Sequence, residues 1–137
     1  MPRAADPNKL EFYVYRLQVG NAPFYVGIGR DKRASDRVPH VRRMMRRQRA
    51  GERVKWTLST RVIRQLLRKD LEPRIVYLPK LGSRKAALVR ERVEITRLVR
   101  RGTLLANVQH NPNRNIPFQV IARVVINAQG VRRPGSE

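Results

Sequence analysis

Two tyrosines, Tyr15 and Tyr25, stand ten residues apart in the stretch EFYVYRLQVGNAPFYVGIGRDKRASDR. They fall in the short blocks YVY and YVG, and an arginine, Arg33, follows closely. Much later a glutamate, Glu91, lies in SRKAALVRERVEITRLVRRG, with Asn107 beyond it. Phenol, guanidinium and carboxylate are the group types that phosphodiester hydrolysis needs: an activated water, relief of charge on the phosphate oxygens, and help for the leaving oxygen. A tyrosine is a poor base at an ordinary pKa of about 10, so a cationic surround would help by stabilising the phenolate. An arginine meets a phosphate through a bidentate fork. Mg²⁺ neutralises phosphate charge while held by as few as one or two carboxylates. That suits a chain with only 10 Asp and Glu. Gly27 and Gly29 would let the backbone approach DNA where a side chain would obstruct it.

The composition narrows the partners. A length of 137 residues argues for one domain with a single modest core, and 41% hydrophobic content predicts that most of it folds. Lys and Arg number 31, leaving a net charge of +21. Such a field attracts polyanions, and DNA is the expected partner because phosphates repeat along it. There is no basic amphipathic helix with a bulky aromatic face, and no apolar run approaches transmembrane length, so no membrane partner is expected. The start, MPRAADPNKL, has no signal-peptide core. Cysteine is absent, which excludes disulfides, zinc–thiolate sites and cysteine nucleophiles and fits a cytoplasmic protein. No small-molecule cofactor is expected beyond a divalent metal.

The elements that must position these groups follow from pattern. Residues 1–9 read as a flexible leader, 10–127 as one domain with its core in 11–107, and 128–137 as a flexible basic tail. LEFYVYRLQV and FYVGI read as strands joined by the turn GNAP, hence an antiparallel hairpin. Pro39 disfavours helix at Val38, which makes GRDKRASDRVP a connection; a helix is expected from Pro39 to Gly51. STRVIRQLLRKD is amphipathic, with Val62, Ile63, Leu66 and Leu67 on one face and Ser59 or Thr60 as its cap. PRIVYLP is a short strand, and a long helix runs from about Ser83 to Arg101, closed by Gly102. HNPNRNIPF is a loop, and FQVIARVVIN is expected to be a strand. The order β-β-α-α-β-α, with a strand-bearing C-terminal extension, predicts an α+β fold: a small, largely antiparallel three-stranded sheet with flanking helices.

On the long helix, at about 100° per residue, Ala87, Leu88, Ile95, Leu98 and Val99 cluster, and Glu91 falls inside their arc. Glu94 falls at its edge, toward Arg90, Arg97 and Arg101, where i,i+3 or i,i+4 pairing would satisfy it. A carboxylate directed into an apolar face is costly unless it is paired or ligates a cation.

YVY, the ten-residue step, YVG, the nearby arginine, the helical glutamate and the asparagine after it together resemble the GIY-YIG endonuclease superfamily, over roughly residues 11–107. FYVGIGRDKR is especially similar to a branch whose second block runs on into a Gly-x-Gly step. The resemblance implies hydrolysis of DNA with Mg²⁺ or Mn²⁺. It makes Tyr15 the general base and Tyr25 the second-block tyrosine, has Arg33 steady the phosphate, has Glu91 bind the metal, and puts the family's asparagine at Asn107. Tyr13 and Tyr15 share a strand face, so the pattern alone leaves both open, and only the resemblance selects Tyr15. Asn107 can equally be a loop hydrogen bond. One position departs from the family. Where it often has a histidine or tyrosine, four residues after the arginine, this chain has Arg37. His40 is then either the displaced equivalent or a surface histidine; His110 is read as structural.

The arginines Arg30, Arg37, Arg42, Arg43, Arg46 and Arg47 are expected to contact DNA phosphates, because like charges packed so densely repel unless an anion is near. Lys55 and Trp56 can stack or clamp, or Trp56 can belong to the core. A reading of another class also accounts for the charge: a non-catalytic basic nucleic-acid-binding protein, ribosomal-type or architectural. The spaced tyrosines and the glutamate on an apolar face are what it would not need.

Overall fold

A computed structural model describes residues 11–79 and 81–130. Strands β1 (Phe12–Val19) and β2 (Ala22–Arg30) form the expected antiparallel hairpin, turning at Gly20 with φ +57°. Strand β3 (Arg74–Tyr77) pairs antiparallel with the other edge of β1, so the sheet order is β2-β1-β3. Helices α1 (Arg37–Arg49), α2 (Leu58–Arg68), α3 (Arg84–Arg100) and α4 (Phe118–Gly130) complete an α+β fold.

The central strand explains the layering. Its side chains alternate between two faces, and both faces are covered. Tyr13, Tyr15, Leu17 and Val19 pack with Val41 of α1, Ile63 and Leu66 of α2, and Ile121 and Val125 of α4. Phe12 and Val14 pack with Ala87, Ile95 and Leu98 of α3. β2 is left as an edge strand. Its outer edge is met by the segment after α3, where the Ala106 N–H donates to the Phe24 carbonyl (2.6 Å).

Four expectations are corrected here. α1 begins at Arg37, after a 3₁₀ turn at Ala34–Asp36, rather than at Pro39. Pro39 is the third residue of the helix, within the first turn, where backbone N–H groups have no intrahelical partner and none is lost. α2 is capped by Thr57, whose side chain accepts from the Thr60 N–H while its own N–H donates to the Thr60 hydroxyl (2.9 Å), in place of a cap at Ser59 or Thr60. FQVIARVVIN is not a strand but the body of α4. Ile121, Ala122 and Val125, at helical spacing, are buried in the core, and this packing overrides the β-branched propensity of the run. On α3, Leu88 is exposed at 40%, outside the buried arc of Ala87, Ile95 and Leu98.

Ser83 caps α3 and Gly102 ends it at φ +86°, as the sequence predicts. α4 carries residues 128–130, assigned above to the tail; the remainder of that tail and the 1–9 leader lie outside the described residues. Among the described residues no helix is long and apolar enough to cross a membrane.

Candidate active site

Beside the outer edge of β2 the two helical layers border a cavity of about 340 Å³. Its walls include Tyr25 from β2, Arg37 from α1, the first turn of α2 with Thr57 and Ser59, Glu91 from α3, and Asn107 from the segment beyond. Residues far apart in sequence, such as Tyr25 and Asn107, therefore face one space. The start of α2 supplies the positive end of a helix dipole, which favours an anion, although the Thr60 N–H is taken by the Thr57 side chain.

Tyr15 lies behind Tyr25, with the ring centroids 6.3 Å apart, and is 3% exposed. It pairs across the hairpin with Gly27, and a Cβ on Gly27 would come within 2.6 Å of the Tyr15 ring. Gly29 pairs with Tyr13, and its Cβ position is likewise filled by that ring. Both glycines are buried beneath tyrosines, so their expected role of admitting DNA to the backbone is corrected: they make room for the rings. Gly27→Ala is expected to destabilise the fold by about 1–3 kcal/mol through overpacking, read as a lowered thermal midpoint. An unchanged midpoint would show that the Tyr15 ring has somewhere else to go.

The two open tyrosines now differ. The Tyr13 hydroxyl donates to the Asp31 carbonyl (2.8 Å) and accepts from the Ala34 N–H (3.4 Å), tying β1 to the turn that joins β2 to α1. Burial holds the Tyr15 phenol above its ordinary value, with Arg37 pulling the other way and Tyr25, Tyr13 and Glu91 adding to the rise. The cationic surround expected to favour the phenolate is thus present as Arg37, and burial outweighs it.

Glu91 and Glu94 have opposite environments. Glu94 is 6% exposed and accepts from Arg16 (2.9 Å) and from Arg97 (3.0 and 2.6 Å). Although burial pushes its carboxyl up, those arginines outweigh it and hold the carboxyl below the usual range. Glu91 is half-buried, lines the cavity, and has no ion-pair partner within bonding distance among the described residues. Burial pushes its carboxyl up, with His110 opposing. His110, read from sequence as structural, is exposed and has φ +61°. Its electrostatic reach to Glu91 across a left-handed turn carries no local sequence signal.

Asn107 is committed to the fold. The Val26 N–H donates to its Oδ1 (3.0 Å) and its Nδ2 donates to the Val26 carbonyl (2.7 Å), so the amide continues the sheet edge as a strand would. Asn111 braces the same segment, with Nδ2 donating to the carbonyls of Leu105 (3.0 Å) and Asn107 (2.7 Å). Asn107 therefore positions the segment ahead of His110.

Arg33 is exposed, starts the 3₁₀ turn and is not among the cavity residues; Arg37 is. The Arg37 guanidinium lies 4.6 Å from the Tyr25 ring centroid and donates to Ser59 Oγ (2.9 Å). Its Nε is shielded from solvent without a partner. His40 is exposed on α1, outside the cavity.

Apart from Arg37 in the cavity and the half-buried Arg30, paired to Glu11 (3.3 Å), the expected phosphate contacts are exposed arginines, several of them ion-paired: Arg43 to Asp36 (3.1 Å), Arg47 to Glu52 (3.0 Å), and Arg42 to Glu72. Arg46 is exposed and has no such pair among the described residues. Exposed pairs of this kind are worth about 0–1 kcal/mol, so a phosphate can displace the carboxylate readily.

The chain has no match among protein-family models, curated proteins or solved structures.

Proposed function

We propose that this chain is a metal-dependent DNA endonuclease similar to the GIY-YIG enzymes, acting in the cytoplasm. The observation that carries the reading is Glu91: a half-buried carboxylate without an ion pair among the described residues, in a chain of net charge +21, set in a cavity with Arg37, Tyr25 and the N-terminus of α2. A carboxylate left without an ion pair in a chain this rich in arginine suits a cation that arrives with the substrate.

Among the described residues there is no group of three or more His, Cys, Asp or Glu, so no all-protein cage is present. Mg²⁺ does not need one, since it keeps several waters and takes one or two carboxylates plus substrate phosphate. Glu91 fits as the single protein carboxylate for Mg²⁺ or Mn²⁺. When bound, the ion would supply charge neutralisation on the phosphate oxygens.

The chain's own groups divide the remaining work. The Arg37 guanidinium and the first-turn N–H groups of α2 hold the phosphate. Arg33, exposed near the entrance to α1, assists from outside the cavity. Tyr25, stacked under Arg37, fixes that guanidinium, and Tyr15, buried behind it and not among the cavity residues, is the base for a water that must reach past Tyr25. As a base Tyr15 is scarce near neutral pH because burial keeps its proton on, yet it is strong once ionised.

Purified protein is expected to nick or linearise supercoiled plasmid with Mg²⁺ or Mn²⁺ and to leave it intact in EDTA. If duplex, branched and single-stranded DNA all stay uncut with metal present, the non-catalytic binding protein is the correct reading. Affinity offers a separate check on the α1 arginines. Log K should fall linearly with log salt, by about 0.9 per phosphate neutralised on duplex DNA. Replacing Arg43 and Arg47 together should make that slope shallower, and an unchanged slope would put the footprint elsewhere.

A further inference from the structure

A second cavity, of about 370 Å³, lies on the other side of the start of α2, and Leu58 lines both. Its walls include Trp56, Arg61, Ile116, Phe118 and Gln119. The Arg64 guanidinium is 4.5 Å from the Trp56 ring centroid and 5.8 Å from that of Phe118, and the Arg61 guanidinium is 5.9 Å from Phe118. Flat cationic and aromatic surfaces are thus gathered beside one space.

Two features mark it as more than packing. Trp56 Nε1 and Arg64 Nε are both shielded from solvent and lack a hydrogen-bond acceptor. Unmade hydrogen bonds of this kind are costly, and of the two groups Trp56 belongs to the cavity wall, where a ligand acceptor would satisfy its Nε1. Arg61, Arg64 and Arg68 also follow one another along α2 with no carboxylate partner among the described residues. A group that stacks, accepts hydrogen bonds and carries negative charge answers all three requirements. A nucleotide is such a group.

We propose that this cavity receives an unpaired nucleotide of the DNA whose phosphate enters the Glu91 cavity, so that the preferred substrate is gapped, flapped or branched rather than uninterrupted duplex. The inference takes its ligand from the DNA reading above, but it does not depend on cleavage. A paired base is held between its neighbours and cannot stack on Trp56 or Phe118 without being extruded, which is unfavourable. A base that is already unpaired avoids that cost.

The chain's single tryptophan makes the test specific, because Trp56 lines this cavity and not the Glu91 cavity. In EDTA, a single-stranded oligonucleotide and a gapped duplex should quench it, while a blunt duplex and inorganic pyrophosphate should not. Stacking one base is worth about 1–3 kcal/mol, so unpaired DNA should bind about tenfold tighter than blunt duplex of equal phosphate number. Electrostatics alone would favour the denser duplex. Arg61→Gln, on an exposed position, and Phe118→Leu should each weaken single-strand binding severalfold and leave duplex binding unchanged.

Equal quenching by blunt duplex or by pyrophosphate, or unchanged single-strand affinity in Arg61→Gln, would overturn the nucleotide assignment. A protein that cuts DNA without this quenching would lose the nucleotide cavity alone. One that is quenched as described but never cuts would retain it and lose the nuclease reading.

Discussion

Replacing Glu91 with glutamine is expected to reduce DNA cleavage by about 10³-fold or more, at every Mg²⁺ concentration, while the protein melts at or slightly above the wild-type temperature. The stability part follows from linkage. Burial holds the Glu91 carboxyl above its ordinary value, so the fold favours the protonated acid. That contribution is complete below the ordinary carboxylate range and is lost as pH rises through the raised value. At neutral pH the ionised Glu91 is therefore a cost to the fold, and glutamine removes it.

Glu94→Gln should show the opposite pattern. Arg16 and Arg97 hold that carboxyl low, so its contribution is present above the ordinary carboxylate range and is lost as pH falls through the lowered value. Removing the charge leaves two arginines underpaired and should cost about 2 kcal/mol at neutral pH, a drop of several degrees, with cleavage retained. Activity lost in Glu94→Gln and kept in Glu91→Gln would transfer the metal role to Glu94. A Glu91→Gln protein that melts well below wild type would make Glu91 a structural residue.

Tyr15→Phe should slow cleavage by about 10²-fold or more at neutral pH, the usual scale of general acid–base help, with DNA affinity unchanged. A base whose proton is held on by burial becomes available only as pH rises. The wild-type log rate should therefore climb by about one unit per pH unit through the neutral and mildly alkaline range, without a plateau there. Tyr15→Phe should flatten that climb. Tyr13→Phe loses the tie to Asp31 and Ala34, so its effect should appear in stability, about 1 kcal/mol, and far less in rate. A flat wild-type profile, or equal rate losses in the two variants, would remove Tyr15 from the base role.

The sheet and three of its flanking helices were legible because their signals are local: strand-type runs around a turn, a capped amphipathic segment, a serine start and a glycine stop. α4 was not. Its β-branched residues suit either element, and only the surfaces of α2 and the sheet decide between them. Pro39 misled for a related reason, since its penalty disappears within a helix's first turn.

Within the cavity, Tyr25, Glu91 and Asn107 could be picked out by type and order, and the i,i+3 partner of Glu94 by helical geometry. The Asn107 bracket on Val26 was not legible, because it joins segments 81 positions apart. Nor was the choice between Arg33 and Arg37. Both precede Pro39 in one charged run, and the entry angle of α1 decides which faces Tyr25. The glycine roles were reversed because cross-strand register, which sets Gly27 against Tyr15, is absent from a one-strand motif.

The most direct test of the central claim is one plasmid-cleavage assay in which wild type and Glu91→Gln are titrated side by side with Mg²⁺, at matched DNA occupancy. The account predicts nicked or linear product that rises with Mg²⁺ for wild type and is near background for Glu91→Gln throughout. Equal cleavage by the two proteins, or none by either, would contradict it.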